Sequence, residues 1–335
     1  MPPTCPTNTD FLLDSPEDVR LFSYFKDAVA FPLHLLAAYC ILARTPNNMH
    51  SMKWSLLNFH FWNVMFDLTL LLSVPIPLFP MPAAVMSGIF TKLDVPATIQ
   101  LLLIVTSVCY VSVSTLIIFE NRFFLLNSKR TWWKKCRPVW VVVNCIIGLA
   151  NQVPAILEVS DQKLAKNIIL NSLPCVPDFL YTADTVLPSL NDTTVIISTI
   201  SFVAVIFGQL TVFTTIIIVQ LFTNFGANTL SITTRRLQRS LMKALVFQCG
   251  IPVMYLLLPG IYAVFSVATE YFSMQLNNLV AATASLHGIV STLSILMIHQ
   301  PYRNTVFFWM GNKKKNKEHD SRWARALPST NTGLN

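Results

Sequence analysis

Apolar residues dominate seven stretches of this chain, each near the length that crosses a bilayer, and polar residues recur inside them at helical spacing. The stretches run Phe22–Leu42, Trp54–Val74, Pro96–Phe119, Trp140–Leu157, Val195–Leu221, Leu241–Val267 and Leu279–Met297. A hydrocarbon core about 30 Å thick takes about 20 apolar residues per helix. The pattern therefore predicts an all-α membrane protein, a seven-transmembrane helix bundle. Lys26 and Asp27 in the first stretch and Asn144, Asn151 and Gln152 in the fourth leave counts of six or eight open. The expected organisation is an N-terminal segment over 1–21, the bundle over 22–303, and a juxtamembrane helix with a polar tail over 304–335.

In the second stretch His60, Asn63 and Asp67 fall at i, i+3 and i+7, and in the seventh His287, Ser291 and Ser294 fall at i, i+4 and i+7. Each set shares one helical face. Polar groups in hydrocarbon are costly, so both faces are expected to point into the bundle. A structural hydrogen-bond network and an ion- or proton-linked conformational role for Asp67 both stay open. The sixth stretch reads Gln248-Cys249-Gly250-Ile251-Pro252. Pro252 cannot donate to the carbonyl of Gln248, and Gly250 softens the turn before it. A hinge at Gly250 and Pro252 and a fixed kink fit equally well.

Charge sets the expected orientation. Only 12% of residues are charged against 53% hydrophobic, with 24 Lys and Arg over 16 Asp and Glu. The basic residues crowd onto alternate connections: Arg44 and Lys53; Arg122, Lys129, Arg130, Lys134, Lys135 and Arg137; Arg235, Arg236, Arg239 and Lys243; and the tail after Arg303. Acids on that side are Glu120, Glu318 and Asp320, whereas the opposite side carries Arg20, Lys26, Lys92, Lys163 and Lys166 among most of the acids. The positive-inside bias predicts the N-terminus outside and the tail inside. The basic excess then belongs against anionic inner-leaflet lipid, with no nucleic acid implied. Residues 1–21 lack a basic segment leading into a short apolar run, so the first stretch is expected to serve as the insertion signal.

Of seven cysteines, only Cys5 and Cys175 fall on the expected oxidising side; a Cys5–Cys175 disulfide and two free thiols both remain open. Asn191-Asp192-Thr193 is the only N-glycosylation sequon and lies in the longest outer connection. After Arg303 the run Asn304 to Met310, with Val306, Phe307, Phe308, Trp309 and Met310 and then Gly311, reads as a short amphipathic helix along the inner leaflet. There is no HExxH, no Cys/His metal spacing, no phosphate-binding loop and no nucleophile elbow, so neither an enzyme nor a cofactor is expected.

Several segments carry a likeness to a known family. They are Thr45-Pro46-Asn47-Asn48-Met49 with Met52-Lys53-Trp54-Ser55-Leu56-Leu57-Asn58-Phe59-His60-Phe61-Trp62, then Phe119-Glu120-Asn121-Arg122, Thr234-Arg235-Arg236-Leu237-Gln238, Gln248 to Pro252, and His299-Gln300-Pro301-Tyr302-Arg303. In this order they resemble the serpentine receptor class H (Srh) family of nematode chemoreceptors. The resemblance implies a G-protein-coupled receptor of the plasma membrane, placed in the sensory cilium, that detects small environmental molecules. It sets Glu120-Asn121-Arg122 where rhodopsin-like receptors carry Asp/Glu-Arg-Tyr, and Pro301-Tyr302-Arg303 near the place of Asn-Pro-x-x-Tyr. Both depart from those patterns. The implied face for a heterotrimeric G protein comprises Glu120, Asn121, Arg122, Arg235, Arg236, Lys243, Pro301, Tyr302 and Arg303. A small-molecule ligand is expected in the outer half of the bundle, against Gln100, Thr199, Ser201, Tyr262 and Ser285. A transporter or channel, and a family member that no longer signals, are the alternatives.

Overall fold

Helix α1 (Pro16–Ala43) begins where the sequence offers a cap. The Ser15 hydroxyl accepts from the Asp18 amide at 3.2 Å and the Asp18 carboxylate accepts back from the Ser15 amide, with Pro16 in the first turn. The computed structural model describes residues 15–46, 49–127, 131–157, 162–173, 175–188, 192–222 and 232–309. Along α1 the buried positions are Val19, Ser23, Lys26, Asp27, Ala30, His34, Ala37, Cys40 and Ile41, while Leu21, Phe25, Phe31 and Leu35 are exposed. The polar side chains thus face inward and the large apolar ones outward, as a helix solvated by lipid requires.

Helix α2 (His50–Ser73) ends at Val74, whose φ of 39° lies in the left-handed region. It leads into a small antiparallel sheet of β1 (Pro75–Pro77), β2 (Ala84–Met86) and, much later in the chain, β3 (Asp184–Val186), ordered β1-β2-β3 with Ile76 opposite Val85 and Val85 opposite Thr185. Short helix α3 (Ile89–Lys92) precedes α4 (Ala97–Leu126). Next come α5 (Thr131–Ala150), α6 (Val153–Leu157) and α7 (Gln162–Ser172). The remaining helices are α8 (Asp192–Phe222), α9 (Ile232–Thr269), α10 (Met274–Ser285), α11 (His287–Ile298) and α12 (Gln300–Trp309).

The seven apolar stretches correspond to α1, α2, α4, α5 with α6, α8, α9, and α10 with α11. Among the described residues, five helices are by length and composition apolar enough to cross a membrane: Pro16–Ala43, Ala97–Leu126, Trp132–Leu157, Thr193–Leu221 and Met274–Ile298. The fourth starts earlier than expected, at Thr131, and breaks at Asn151 and Gln152. Its polar residues bind neighbouring helices: Gln152 Oε1 accepts from Thr106 at 2.9 Å, and Asn144 exchanges hydrogen bonds with Gln209, which also accepts from Trp140 at 2.7 Å. Interhelical bonds of this kind join segments that lipid gives no hydrophobic reason to associate. One apolar core spans the bundle, with α2 on α4 and α9 on α11 as its largest helix pairs.

The described residues that connect α2 to α4 and α6 to α8 build a cap. Val74, Ile76, Leu78, Val85, Ile169, Val176, Leu180 and Leu187 form a second core with Val19 of α1. The sheet reaches from α10, through β1, to α4, through β3. Gly88 allows the turn behind β2: its amide donates to the Ser73 carbonyl at 2.9 Å, and a Cβ there would collide with the Leu72 and Ser73 backbone. Asn277 pins α10 to the hairpin by donating to the Phe79 carbonyl at 3.1 Å. The opposite, tail end holds α12, whose Tyr302 is fully buried and shares a 2.7 Å hydrogen bond with Thr45 after α1. Burial pushes this phenol up from its ordinary value. The amphipathic helix expected over 304–310 thus starts earlier, at Gln300; Met310 and Gly311 lie outside the described residues.

Candidate functional site

Three polar or hollow places in the bundle have the makings of function. The first lies below the cap. The Lys26 ammonium sits 2.7 Å from Asp27 and 3.3 Å from Asp67, and donates to the Ser285 carbonyl at 3.1 Å. The other oxygen of Asp67 meets His34 Nε2 at 3.0 Å, and His34 Nδ1 meets the Thr292 hydroxyl at 2.8 Å. His60 Nε2 reaches the His34 carbonyl at 3.0 Å. These bonds fasten α1 to α2, α10 and α11 inside hydrocarbon. A buried carboxylate is tolerable there only with such partners. Gly288 makes room for the arrangement, because a Cβ at that position would overlap the Asp67 carboxylate.

Sequence reasoning assigned Lys26 to the outer charge tally and gave His34 no role. Both stand in register with Val19, Ser23, Ala30 and Ala37 on one face of α1, and that spacing was the available signal. Of the residues expected in an intramembrane network, His60, Asn63, Asp67, His287, Ser291 and Ser294 are all buried. Asn63 and Ser294 donate to backbone within their own helices, to Phe59 at 2.7 Å and Val290 at 2.7 Å. His287 packs edge-on to Phe66 at 5.5 Å.

The second place is the tail end of α4. Glu120 is fully buried and accepts from Trp133 Nε1 at 2.8 Å and from Arg137 Nε at 2.9 Å, while Arg137 Nη2 reaches Asn121 at 3.0 Å. The Arg137 guanidinium also lies 4.7 Å over the Phe124 ring. Trp133, Trp140, Phe123 and Phe213 pack edge-on or tilted beside this pair and join α4, α5 and α8. Arg122 is buried as well, yet its Nε and Nη2 have no hydrogen-bond partner among the described residues. Burial, with the Arg122 guanidinium nearby, pushes the His299 imidazole down to about 4, so it is neutral at physiological pH. Arg235 and Arg236 fall in the first turns of α9, Lys243 and Arg303 are exposed, Pro301 is half-buried, and Tyr302 is turned inward. Trp133 and Arg137, which hold Glu120, were not singled out from the sequence.

The third place is a cavity of about 260 Å³ near the middle of the bundle, between α2, α4, α8, α9 and α11. Phe59, Leu116, Phe119, Ile206 and Val253 give it an apolar wall, and Gly250 of the expected hinge borders it. Pro252 stands within α9, which continues as one helix through it. None of the five residues expected to line a ligand pocket touches this cavity. Gln100 ties loops instead, donating to the Val95 carbonyl at 2.8 Å and the Thr91 hydroxyl at 3.3 Å. Thr199 and Ser201 point outward from α8, Tyr262 packs edge-on to Phe79 at 6.2 Å, and Ser285 donates to the Ala282 carbonyl at 2.7 Å. Cys175 is disulfide-bonded, and Cys40, Cys109, Cys136, Cys145 and Cys249 are free. Cys5 and Asn191 lie outside the described residues.

Comparison with known proteins supplies the remaining constraint. A family model described as serpentine type 7TM GPCR chemoreceptor Srh matches residues 14–312. Serpentine receptor class H-72 of Caenorhabditis elegans is 28% identical over 308 residues, covering 90% of this chain and 88% of that protein. Serpentine receptor class r-10 of Caenorhabditis briggsae is 35% identical over 97 residues, 28% of each. No solved structure gives a significant match.

Proposed function

Because the chain belongs to the Srh family of serpentine seven-transmembrane chemoreceptors, we propose that it detects a small environmental molecule and signals through a heterotrimeric G protein. The family is one of multi-pass membrane receptors and not of enzymes. The observation that carries the reading is the match over residues 14–312, which takes in every described membrane helix. In this proposal the cap end faces outside and the tail end the cytoplasm, as the basic residues around α5, α9 and α12 favour. Asn191 is glycosylated, and Cys175 pairs with Cys5 on the oxidising side. The receptor works in the plasma membrane of a chemosensory neuron, at its cilium.

Signal transfer rests on unequal packing within the bundle. The Glu120–Arg137–Trp133 cluster and its aromatic neighbours hold α4, α5 and α8 as one body. The cavity beside Gly250 lies between α9 and α8, which meet again where Arg239 donates to the Leu221 carbonyl at 2.7 Å, and α9 pivots at Pro252 when ligand favours the open state. A ligand drives such a change only through different affinity for the two states. Opening uncovers Arg122 at the tail end, between Glu120, Asn121, Arg235, Arg236, Lys243 and the Pro301-Tyr302-Arg303 turn, where the G protein docks.

The test is calcium imaging of cells expressing the receptor with a promiscuous G protein, challenged with volatile and water-soluble odorants. A dose-dependent response is expected, abolished by Arg122→Ala and weakened by Pro252→Ala at equal surface expression. Arg122→Ala signalling at full strength would refute the coupling site, and Pro252→Ala losing signal only in step with surface expression would refute the hinge.

A further inference from the structure

The cavity has an exposed doorway and, on its wall, a buried ring nitrogen without a hydrogen-bond partner among the described residues. Its rim is formed by Phe207 of α8, 47% exposed, and Val246 of α9, 44% exposed. Phe207 lies midway along a helix apolar enough to cross a membrane and Val246 on neighbouring α9, so in a seven-pass bundle the exposed opening between them points to the bilayer. The sheet and the second core around Ile76 and Leu180 cover the cap end of the bundle. At the inner wall stands His287, 2% exposed, whose Nδ1 has no hydrogen-bond partner among the described residues. The hydroxyls of Ser112 and Thr115, which also face the cavity, already donate to the Val108 and Val111 carbonyls at 3.1 and 2.9 Å. A buried ring nitrogen left unpaired is costly, and a ligand that pairs it recovers that cost.

Volume and lining define the guest. A cavity of 260 Å³ exceeds the roughly 150 Å³ apolar cavity that accepts benzene and falls just below the roughly 300 Å³ at which drug-sized pockets begin. We infer that the site takes a small, largely apolar molecule bearing one oxygen function, an alcohol or ketone, that dissolves in the bilayer, enters sideways between α8 and α9, and hydrogen-bonds His287. The inference rests on the receptor reading for its purpose, since the guest lies against Gly250 and Val253 of the pivoting helix. Its binding claim stands apart from signalling.

The experiment uses the full chain in lipid nanodiscs and two photoreactive probes: an octanol carrying a diazirine, and the same chain without its hydroxyl. Mass spectrometry locates the adducts. Octanol label is expected on cavity residues of α4, α8 and α9 and is displaced by excess unlabelled octanol. Val246→Trp, a lipid-facing change at the rim, should cut labelling by both probes at least about 10-fold. His287→Phe should weaken labelling by the octanol probe by about 5-fold, the value of one hydrogen bond, and leave the alkane probe unchanged. Equal loss of both probes in His287→Phe would overturn the hydrogen bond. Label unaffected by Val246→Trp would overturn the lateral route, and adducts confined to the cap, or octanol excluded by lipid acyl chains, would overturn the site. Odorant responses that persist alongside any of these failures would leave the receptor reading intact. Cavity labelling by a chain that never signals would refute that reading and leave the site standing.

Discussion

Replacing Gly288 by alanine tests whether the buried carboxylate of Asp67 holds the bundle together. The added methyl would occupy the space of the Asp67 carboxylate, so Asp67 must rotate and give up its contacts with Lys26 at 3.3 Å and His34 at 3.0 Å. In water-soluble proteins two charge-assisted hydrogen bonds would be worth about 3–6 kcal/mol. Interhelical polar pairs in membranes average only about 0.6 and reach about 1.7 kcal/mol. Lys26 also keeps Asp27 at 2.7 Å and so is not orphaned. Together these place the loss at about 2–3 kcal/mol. Gly208→Ala is the matched control: nothing lies within 4 Å of its Cβ, and alanine in a helix interior is favoured by about 0.5–1 kcal/mol. One substitution thus has opposite expected signs at two positions. The assay is thermal unfolding of detergent-purified protein followed by size-exclusion survival. In an Asp67→Ala background the Gly288→Ala penalty should vanish, because its cause is gone. Equal midpoints for Gly288→Ala and Gly208→Ala, or a penalty unchanged without Asp67, would refute the reasoning.

Three further outcomes are expected. Trp133→Phe removes one of two donors to the buried Glu120 and should cost about 1–3 kcal/mol in the same assay, whereas Trp132→Phe, at an exposed position, should be within about 0.5 kcal/mol of wild type. Tyr302→Phe should cost only about 1 kcal/mol, because Thr45 retains its bond to the Ile41 carbonyl at 2.6 Å. A larger loss, seen as failure of α12 to resist limited proteolysis, would mean that the hydroxyl does more than fasten α12. Cys175→Ser and Cys5→Ser should each lower stability by about 2–4 kcal/mol, and the double variant should be no worse than either single one. Additive losses would show that the two do not pair.

The membrane helices were legible because hydrocarbon leaves so little choice: seven apolar stretches became seven helical passes, with boundaries moved where polar residues found partners across the bundle. His60, Asn63 and Asp67 share a buried face because three and seven residues along a helix return to the same side. The cap was not legible. Strands of three residues, one of them, Pro75-Ile76-Pro77, beginning and ending in proline, are too short for alternation to register, and β3 lies far along the chain from β2. Lys26 was misplaced because a charge count treats every lysine near a helix end as solvated, whereas ten residues inside α1 its ammonium is held by two carboxylates. The expected pocket residues lie away from the cavity for a different reason. Thr199 and Ser201 are polar at the right depth, but which way a helix turns its polar residues is set by neighbours that the local sequence does not name.

The cap also imposes an order on biosynthesis. Strands β1 and β2 leave the ribosome between the second and third passes, but the strand that completes their sheet follows only after α4 and α5 have been made. Until β3 arrives, the free edge of β2 is a two-stranded hairpin awaiting a partner, and such pairs are marginal by themselves. Closure of the sheet therefore reports that the first four passes have been inserted in the right sense, since an inverted fourth pass would deliver β3 to the wrong side of the membrane. The roof of the bundle is thus complete only once β3, made after α5, has joined the hairpin.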